Sequence, residues 1–483
     1  MRRREFLRHA TAGAAALALP RLLCGAAPSG SVPDKPVRVK DSILEPQALN
    51  FPKGQFGTCI NGQTFQYPAI ATSRGWQYAT WFDAQGRLCV GRRRLPDGPW
   101  QPIAFDDYRI NHTDVHNVAV IGVCEADGTV HLTFDHHGSP LHYRVSRPGV
   151  ATSPQDVEWT AALFGPVASE LVKGAPLARV TYPEFFTAPG GRLQLYYRIG
   201  RSGNGDSHLA TYDPARGGWA VGGEFISGQG EFRGSKSRNA YHNGFDYGPD
   251  GRLHTTWTWR EGQNNFSAEG GLMNCHDLMY AWSDDGGATW RNNAGQTIAT
   301  TGRQSLSLTS PGVTARPLPY RWGIMNQVTQ TLDRHGRLHV VMWLQPPDAP
   351  AGSKDMNSWR YFHYWRDDKG AWHERLLPCV GRKPSVLAGR DDSLVLVFTR
   401  PADPEYHGTD PGGPLVIFKA APAGDWAGWR EVYRSEKSFV GEPRLDADRW
   451  RQDGVLSVYA QEAPSAPGKP SPLHVLDFES LSD

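Results

Sequence analysis

The chain has 483 residues, and its 51 lysines and arginines against 49 aspartates and glutamates leave a formal net charge of +2. This balance gives no reason to expect a nucleic acid or a membrane surface as a partner. Only 39% of the residues are hydrophobic, whereas 53 are glycine and 37 are proline. Such a composition predicts an all-β protein of many short strands and turns.

Residues 1–30 have the pattern of a twin-arginine export signal. Arginines at positions 2–4 precede a short, weakly apolar run over residues 10–19, which is too short to span a bilayer as a helix. We therefore expect a periplasmic or secreted protein, with a lipoprotein anchored at Cys24 as the less favoured alternative. The five later cysteines are scattered, so a disulfide framework is not indicated.

One short theme recurs along the chain: a turn containing Asp or Gly is followed by an alternating strand. Seven copies are found, at residues 83–88, 127–130, 190–193, 250–253, 335–338, 391–394 and 453–456. Intervals of about forty to eighty-five residues are within the range of β-propeller blades once loops are inserted. We therefore predict one seven-bladed β-propeller over residues 45–480. A two-domain division is the alternative, but no linker rich in Pro and Ser interrupts the middle of the chain.

Residues 283–290 (S-D-D-G-G-A-T-W) match the Asp-box, S-x-D-x-G-x-T-W. In such a hairpin loop the Asp side chain accepts hydrogen bonds from backbone N–H groups, and Gly supplies a positive φ. The Trp packs under the hairpin. This motif indicates architecture and not a functional site.

Histidines are concentrated in residues 111–146. His116 precedes an apolar run, and His136 and His137 end an alternating strand. A tight turn makes these strands neighbours, so the two histidine positions should lie close together. Strand phase places His137 on the polar face and His136 on the apolar face, although a bulge at the strand end would favour His136. Hydrogen-bonded structural histidines are the alternative.

Two further segments carry polar residues that structure alone does not require. Tyr182 precedes a pair of strands, Arg198 ends the second of them, and Tyr241 precedes the strand of the fourth repeat. A tyrosine that caps the core and an arginine that braces two blades are the structural alternatives. The tryptophans of the repeats fit packing between blades better than sugar binding.

Histidine, tyrosine and arginine together fit one reaction, the abstraction of a proton next to a uronate carboxylate. The reaction requires a cation to neutralise the carboxylate, a base, and an acid for the departing 4-oxygen. Arg supplies a permanent charge, and Tyr or neutral His can act as base or acid. We find no convincing pair of carboxylates of the kind that a glycoside hydrolase uses.

The same segments resemble the BNR-repeat β-propeller polysaccharide lyases that cleave ulvan, families 24 and 25. The similarity lies in H-N-V-A-V-I-G-V, D-H-H-G, Y-P-E-F-F, Y-Y-R-I-G, R-N-A-Y-H-N-G-F and the Asp-box. It implies His116 and either His136 or His137 as base, acid or carboxylate partner. It further implies Tyr182 as the principal proton-transfer residue and Arg198 as the carboxylate neutraliser. Implied substrate contacts are Asn117, Tyr241 and, in a segment that departs from the expected pattern, His276.

These lyases also suggest a structural zinc, which the proposed chemistry would not require. The ligand types that zinc prefers occur at His339, His363, His373 and Cys379. Unrelated surface histidines and a buried thiol are the alternative.

We expect a monomeric lyase that acts on an acidic polysaccharide, with or without sulfate, and that needs no cofactor for catalysis. Ulvan is the substrate favoured by the resemblance, and the product would be a 4,5-unsaturated uronyl end. The alternatives are a glycoside hydrolase, sialidase-shaped or specific for rhamnose–glucuronate linkages, and a non-catalytic carbohydrate-binding propeller.

Overall fold

A computed structural model describes residues 37–54, 56–262, 274–320, 322–346, 358–401 and 412–481. Within this part of the chain there are 32 strands, one α-helix and two short 3₁₀ turns, so the prediction of an all-β protein is confirmed. The chain from Val37 to Asp483 forms one compact unit. None of the described helices is long and apolar enough to cross a membrane. The predicted export signal lies outside the described residues.

Most strands belong to antiparallel meanders, in which consecutive strands pair with each other. The first part of the chain contains β1 (Arg38–Ala48), β2 (Ile70–Ser73), β3 (Trp76–Phe82), β4 (Arg87–Arg94), β5 (Gln101–Arg109), β6 (Ala119–Cys124), β7 (Thr129–Phe134), β8 (His137–Ser139) and β9 (Tyr143–Val145). The 3₁₀ turns Pro154–Asp156 and Ala161–Leu163 precede β10 (Glu170–Val172), β11 (Ala175–Pro176), β12 (Val180–Ala188), β13 (Arg192–Arg201), β14 (Asn204–Asp213) and β15 (Gly218–Ile226).

The second part of the chain continues the same pattern. Its strands are β16 (Gln229–Phe232), β17 (Ser235–Tyr247), β18 (Leu253–Glu261), β19 (Cys275–Ser283), β20 (Thr289–Arg291), β21 (Thr297–Thr300), β22 (Thr314–Arg316), β23 (Thr329–Leu332), β24 (Leu338–Leu344), β25 (Arg360–Arg366) and β26 (Trp372–Leu376). The last elements are β27 (Ser385–Ala388), β28 (Leu394–Thr399), β29 (Gly413–Ala420), β30 (Arg430–Leu445), α1 (Ala447–Asp453), β31 (Leu456–Glu462) and β32 (Ser471–Glu479).

The strand order defines the sheets. The first sheets follow the orders β2-β3-β4-β5, β6-β7-β9 and β8-β12-β13-β14-β15. They are followed by β16-β17-β18-β19-β20-β21, with β22 added to β19, and by β23-β24-β25-β26. The last sheet runs β27-β28-β29-β30-β31-β32-β1. A separate pair is formed by β10 and β11. The apolar run predicted after His116 and the alternating strand that follows it are confirmed as the neighbouring strands β6 and β7.

Strand β30 belongs to two meanders. Its residues up to Phe439 pair with β29, and its residues from Phe439 onward pair with β31. The N-terminal strand β1 pairs with β32, so the last meander combines the two ends of the described chain. This division gives seven meanders, which begin with β2, β6, β12, β17, β23, β27 and the second half of β30.

Six of the seven repeated turns occupy equivalent places, since each precedes the second strand of a meander: β7, β13, β18, β24, β28 and β31. The turn at residues 83–88 precedes β4, which is the third strand of the first meander. The Asp side chains hold these turns through the backbone, as when Asp83 Oδ1 accepts from the N–H groups of Gln85 at 3.0 Å and Arg87 at 2.9 Å. Asp391 Oδ1 accepts from the N–H of Ser393 at 3.0 Å in the same way. The repeats predicted from the sequence are therefore structural repeats.

The first strands of the meanders contact one another in chain order, from β2 through β6, β12, β17, β23 and β27 to β30. Helix α1, which follows β30, contacts β2. The Asp446 carboxylate before α1 accepts hydrogen bonds from Thr72 Oγ1 at 2.6 Å and Gln77 Nε2 at 2.7 Å. Buried side-chain bonds therefore join the last meander to the first.

The Asp-box has the predicted geometry. Asp285 accepts from the Thr289 N–H at 2.8 Å and from the Thr289 and Ser283 hydroxyls at 2.7 Å. Gly286 and Gly287 have φ values of 70° and 91°, which favour glycine. Trp290 is fully buried and stacks on Phe225 with ring centroids 4.9 Å apart. The motif therefore closes the β19–β20 hairpin.

The cysteines that the structure describes belong to the core. All five are buried, and they form no disulfides with one another, in agreement with the prediction that a disulfide framework is not indicated. They serve as small apolar side chains in the core.

Candidate active site

The candidate site lies where the chain enters the first strands of the meanders. Because these strands contact each other in chain order, the residues that begin them are brought together from distant parts of the sequence. Tyr182 at the start of β12 and Tyr241 in β17 line one small cavity of about 30 Å³. Thr64 and Phe65, which precede β2, line the same cavity.

One carboxylate holds two histidines. Asp114 Oδ1 is hydrogen-bonded to His116 Nδ1, and Asp114 Oδ2 is hydrogen-bonded to His137 Nδ1 at 2.7 Å. The two imidazoles stack with centroids 4.3 Å apart. Because a carboxylate accepts the Nδ1 proton of each ring, the Nε2 atoms are left with their lone pairs and can accept protons.

The electrostatics of this trio favour a neutral histidine. Burial lowers the pKa of His116 below its ordinary value, and the hydrogen bond to Asp114 only partly opposes this shift. Burial alone would raise the pKa of Asp114, but its hydrogen bonds to His116 and His137 outweigh burial and hold it well below the usual range. At neutral pH the trio therefore contains a carboxylate and a neutral His116, which can act as a base.

The structure places His137, and not His136, next to His116. The strand alternation ends at Asp135, which has a left-handed φ of 63°. His136 turns inward, where its Nε2 lies 2.8 Å from Thr133 Oγ1, and burial lowers the pKa of its imidazole to about 3. His136 is therefore a buried structural residue, and the alternative that a bulge would bring it into the site is wrong.

Tyr182 is aimed by a bulge. The pairing of β12 with β13 shifts register between Thr181 and Glu184, and Tyr182 has a left-handed φ of 49°. Such a conformation is costly for a tyrosine, by about 1 to 3 kcal/mol, and is typically found at functional sites. The ring lies parallel to those of Phe65, at 4.6 Å, and His137, at 5.9 Å. The bulge therefore directs the phenol toward the histidine pair.

Arg198 supplies a buried cation. Its side chain is 0% exposed, and none of its guanidinium nitrogens has a hydrogen-bond partner within the described part of the chain. The guanidinium carbon lies 5.0 Å from the centre of the Tyr182 ring and 5.4 Å from that of Tyr241. A buried charge without an anionic partner is costly, so this arginine is set to receive an anion.

The two tyrosines near Arg198 have different acidities. Burial raises the pKa of Tyr182 well above its ordinary value of 10.0, and Arg198 opposes this only in part. Burial would also raise the pKa of Tyr241, but Arg198 and Arg260 outweigh it and lower the value. The Tyr241 hydroxyl donates to Ser202 Oγ at 3.0 Å. Tyr182 is therefore a protonated phenol at neutral pH and can act as a proton donor.

The other predicted contacts occupy structural positions. Asn117 Nδ2 donates to the backbone carbonyl of Asp114 at 3.2 Å, so this side chain supports the loop that carries Asp114 and His116. His276 is buried, with Nδ1 2.8 Å from Asp277 and Nε2 3.0 Å from Glu261. Because both its nitrogens are bonded to carboxylates, His276 is occupied within an ion network, and no ring nitrogen remains for a substrate.

Two residues of the site were missed by the sequence analysis. Asp114 lies two positions before His116, and this short Asp-x-His spacing could have indicated it. Phe65 stacks against both His116, at 5.3 Å, and Tyr182. Nothing in the local sequence indicates Phe65, because only the packing of distant meanders brings it to the site.

The predicted zinc ligands do not fit one metal site. His339 Nδ1 and His363 Nε2 are 3.0 Å apart in the core, but His373 is half-exposed and bonded to Asp367 at 2.8 Å. Cys379 is buried in an apolar cluster and forms no group of three metal ligands with these histidines. Among the described residues only Asp114, His116 and His137 are close enough to form a group of three metal ligands, and their bonds to each other account for that proximity.

The fold and the site define a class of protein: an all-β repeat protein with a cluster of histidine, tyrosine and arginine side chains. A family model for BNR repeat-containing proteins matches residues 76–378. The chain therefore belongs to the BNR repeat-containing family.

Known proteins of similar sequence are ulvan lyases. The chain is 21% identical to the long isoform of ulvan lyase from Alteromonas sp. (strain LOR), over 93% of this chain and 48% of that protein. It is 26% identical to the short isoform from the same strain, over 56% of this chain and 60% of that protein. The chain thus spans about half the length of the long relatives that it matches.

Solved structures of similar fold are also lyases. The polysaccharide lyase Uly1 has a TM-score of 0.69 and 17% identity, covering 91% of this chain and 98% of its own. A PL25 ulvan lyase bound to -[GlcA(1-4)Rha3S]- has a TM-score of 0.62 and 11% identity, covering 90% and 95%. Because the sequence identities to these two structures are only 17% and 11%, the similarity establishes the fold alone.

Proposed function

We propose that the chain is a seven-bladed β-propeller polysaccharide lyase that cleaves ulvan or a closely related uronic-acid polysaccharide by β-elimination. Seven meanders, the ordered contacts of their first strands and the pairing of β1 with β32 support the propeller. Closure by pairing of the terminal strands would leave few exposed edges.

Arg198 is the observation that best supports elimination as the reaction. Removing the proton at C5 of a uronate requires neutralisation of the adjacent carboxylate, because the negative charge that develops is shared with that group. A fully buried guanidinium without a hydrogen-bond partner among the described residues offers paired N–H donors of the geometry that a carboxylate accepts. Its position near the rings of both Tyr182 and Tyr241 supports this role, because a sugar carboxylate bound to Arg198 would lie close to Tyr182.

The remaining groups divide the proton transfers. The Asp114-held pair, His116 and His137, accepts the C5 proton through a free Nε2 atom. Tyr182, whose pKa burial raises, donates its proton to the departing 4-oxygen. The C4–O bond breaks, a C4–C5 double bond forms, and the proton moves from histidine back to the phenolate through the site. The products are a 4,5-unsaturated uronyl end and a free hydroxyl end.

The acidic substrate is supported by the relatives as well as by the site. Proteins named ulvan lyase match most of this chain, and one structure of similar fold holds a glucuronate–rhamnose sulfate unit. Export by the twin-arginine route and a monomeric state stay predictions.

A pair of tyrosine variants tests the proposal. Tyr182→Phe removes the proposed acid and keeps the ring, so kcat/KM on ulvan should fall by about 10² to 10⁴. Tyr212→Phe is the matched control, because the Tyr212 hydroxyl bonds to Asp127 at 3.0 Å in the β6–β7 turn. If Tyr182→Phe and Tyr212→Phe are equally active, and both give the 4,5-unsaturated uronyl end, Tyr182 is not the acid of the reaction.

A further inference from the structure

Lys383 is a buried cation to which the reaction above assigns no role. It lies in the segment between β26 and β27 and is only 6% exposed. Across the described ranges its ammonium has neither a hydrogen bond nor an ion pair within 4.0 Å. A largely buried ammonium without a partner is unfavourable, because the charge loses hydration that no protein group replaces. A fold that keeps such a group is expected to use it.

The backbone around Lys383 places it at the candidate site. Three residues later, the Val386 N–H donates to Thr329 Oγ1 at 3.1 Å, and Thr329 lines the cavity shared by Tyr182 and Tyr241. Two residues after Lys383, the Ser385 hydroxyl donates to the Pro443 carbonyl of β30 at 2.8 Å. The preceding residue of β30, Glu442, accepts from the N–H of Thr64 at 2.7 Å, and Thr64 lines the same cavity. The segment that carries Lys383 therefore runs between β23 and β30, both of which are joined to residues that line the cavity.

The charges around Lys383 agree with this position. Burial lowers the pKa of the Lys383 ammonium, while the nearby Glu442 and Tyr241 oppose this shift. The charge of Lys383 in turn contributes to the lowered pKa of His116. Lys383 is thus electrostatically coupled to both sides of the site, the tyrosine side and the histidine side.

We propose that Lys383 is a second anion-binding residue of the active site, which holds an oxyanion of the acidic sugar chain while Arg198 holds the carboxylate next to the reacting carbon. This inference rests on the proposed lyase function, since it assumes a polyanionic sugar in the cleft. Glu442 leaves Lys383 available, because its carboxylate is held by the backbone N–H and hydroxyl of Thr64. The oxyanion is a sulfate ester or a second carboxylate.

Replacement of Lys383 tests the assignment. Lys383→Met keeps the length of the side chain and removes its charge, and Lys383→Arg restores a charge. Lys437→Met is the matched control, because Lys437 is half-exposed and pairs with Glu462 at 3.0 Å. Initial rates are measured on native ulvan and on chemically desulfated ulvan, together with inhibition by inorganic sulfate and thermal unfolding.

We expect Lys383→Met to reduce kcat/KM by about 10²-fold, to weaken inhibition by inorganic sulfate, and to leave the unfolding temperature unchanged or raised. Lys383→Arg should recover most of the loss, and Lys437→Met should match the wild type. A loss on native ulvan only identifies a sulfate ester as the bound group. A loss on both substrates identifies a carboxylate.

Wild-type kinetics of Lys383→Met on both substrates, to within about threefold, would overturn the assignment. If this variant does not fold, Lys383→Gln is judged by the same criterion. An inactive wild type would refute the proposed lyase function separately, and the site is then tested by inorganic sulfate alone. Sulfate should raise the unfolding temperature of the wild type more than that of the variant, and an equal rise would overturn the role of Lys383.

Discussion

Asp114 is the residue on which the proposed base depends. It accepts one hydrogen bond from each histidine and so fixes the tautomer and the orientation of both rings. A carboxylate with this role does not need to exchange protons itself. Asp114 should therefore affect catalysis through the orientation of the two imidazole rings and through the pKa of the base.

Asp114→Asn should lower kcat/KM by about 10² to 10⁴ and move the acid limb of its pH profile to lower pH. The sign follows from the charge: the Asp114 carboxylate stabilises protonated His116 and raises its pKa, so an uncharged amide lowers it further. The neutral base then persists to more acidic pH. The measurement is a pH profile of kcat/KM for the wild type and the variant. A shift of the acid limb to higher pH would contradict the assignment.

Arg198→Met should reduce kcat/KM by about 10² to 10³ without lowering the unfolding temperature. The reason is that the guanidinium makes no hydrogen bond to the described residues, so its removal breaks none of their hydrogen bonds and relieves a desolvated charge. Arg198→Lys keeps the charge without the paired N–H donors and should recover only part of the loss. Rates and thermal unfolding of both variants are compared. A large loss of stability in Arg198→Met, with activity proportional to the folded fraction, would assign Arg198 to the scaffold.

At the residue scale, the sequence predicts chemistry better than it predicts contacts. His116, His137, Tyr182 and Arg198 were all predicted, and the structure brings them together. The sequence leaves the choice between His136 and His137 open, because strand phase favours His137 and a bulge at the strand end would favour His136. The strand alternation in fact ends at Asp135, which adopts a left-handed φ. His276 was misplaced because its partners, Glu261 and Asp277, cannot be recognised before strands β18 and β19 are paired.

At the element scale, the Asp-box is a closed local unit. Asp285→Ala removes a carboxylate that accepts from one backbone N–H and two hydroxyls, and we expect a loss of about 1 to 3 kcal/mol in the free energy of unfolding. Activity of the folded fraction should be unchanged. Urea unfolding measures the loss.

The neighbouring Asp284→Ala is the control for this prediction. Asp284 is exposed and pairs with Arg291 at 3.2 Å, so its removal should change stability by about 0.5 kcal/mol or less. Equal effects of the two substitutions would show that the hairpin does not depend on the motif.

The turns of the repeats could be predicted because each carries its own signal. An Asp that accepts backbone N–H groups, or a Gly that supplies a positive φ, acts within four or five residues, so tertiary packing does not alter these turns. The division of β30 between two meanders has no such local signal, because it depends on which strand lies on either side. The bulge at Tyr182 is set by pairing with β13 and was equally unpredictable from local sequence.

At the scale of the whole molecule, the ends of the described chain depend on each other. Strand β1 pairs with β32 from Arg38 opposite Glu479 to Ala48 opposite Ser471, and Leu44 and Ala48 of β1 are buried. Deleting residues 1–48 would expose β32 as an edge and remove these apolar contacts.

We expect this deletion to lower the free energy of unfolding by at least about 3 to 5 kcal/mol and to promote aggregation, compared with a chain that lacks residues 1–36 only. Urea unfolding and light scattering compare the two proteins. Equal midpoints would contradict closure by the terminal strands, and with it the proposed propeller.

The central claim is that this chain breaks a uronate polysaccharide by elimination. The most direct measurement mixes the purified protein with ulvan and, in parallel, with other uronate polysaccharides, and follows both the ultraviolet absorbance of the unsaturated uronyl end and the number of new reducing ends. We expect the absorbance and the number of reducing ends to increase together on ulvan, and both increases to be lost in Tyr182→Phe. New reducing ends without the absorbance would contradict elimination and identify a hydrolase, and no change on any of the polysaccharides would favour a carbohydrate-binding protein.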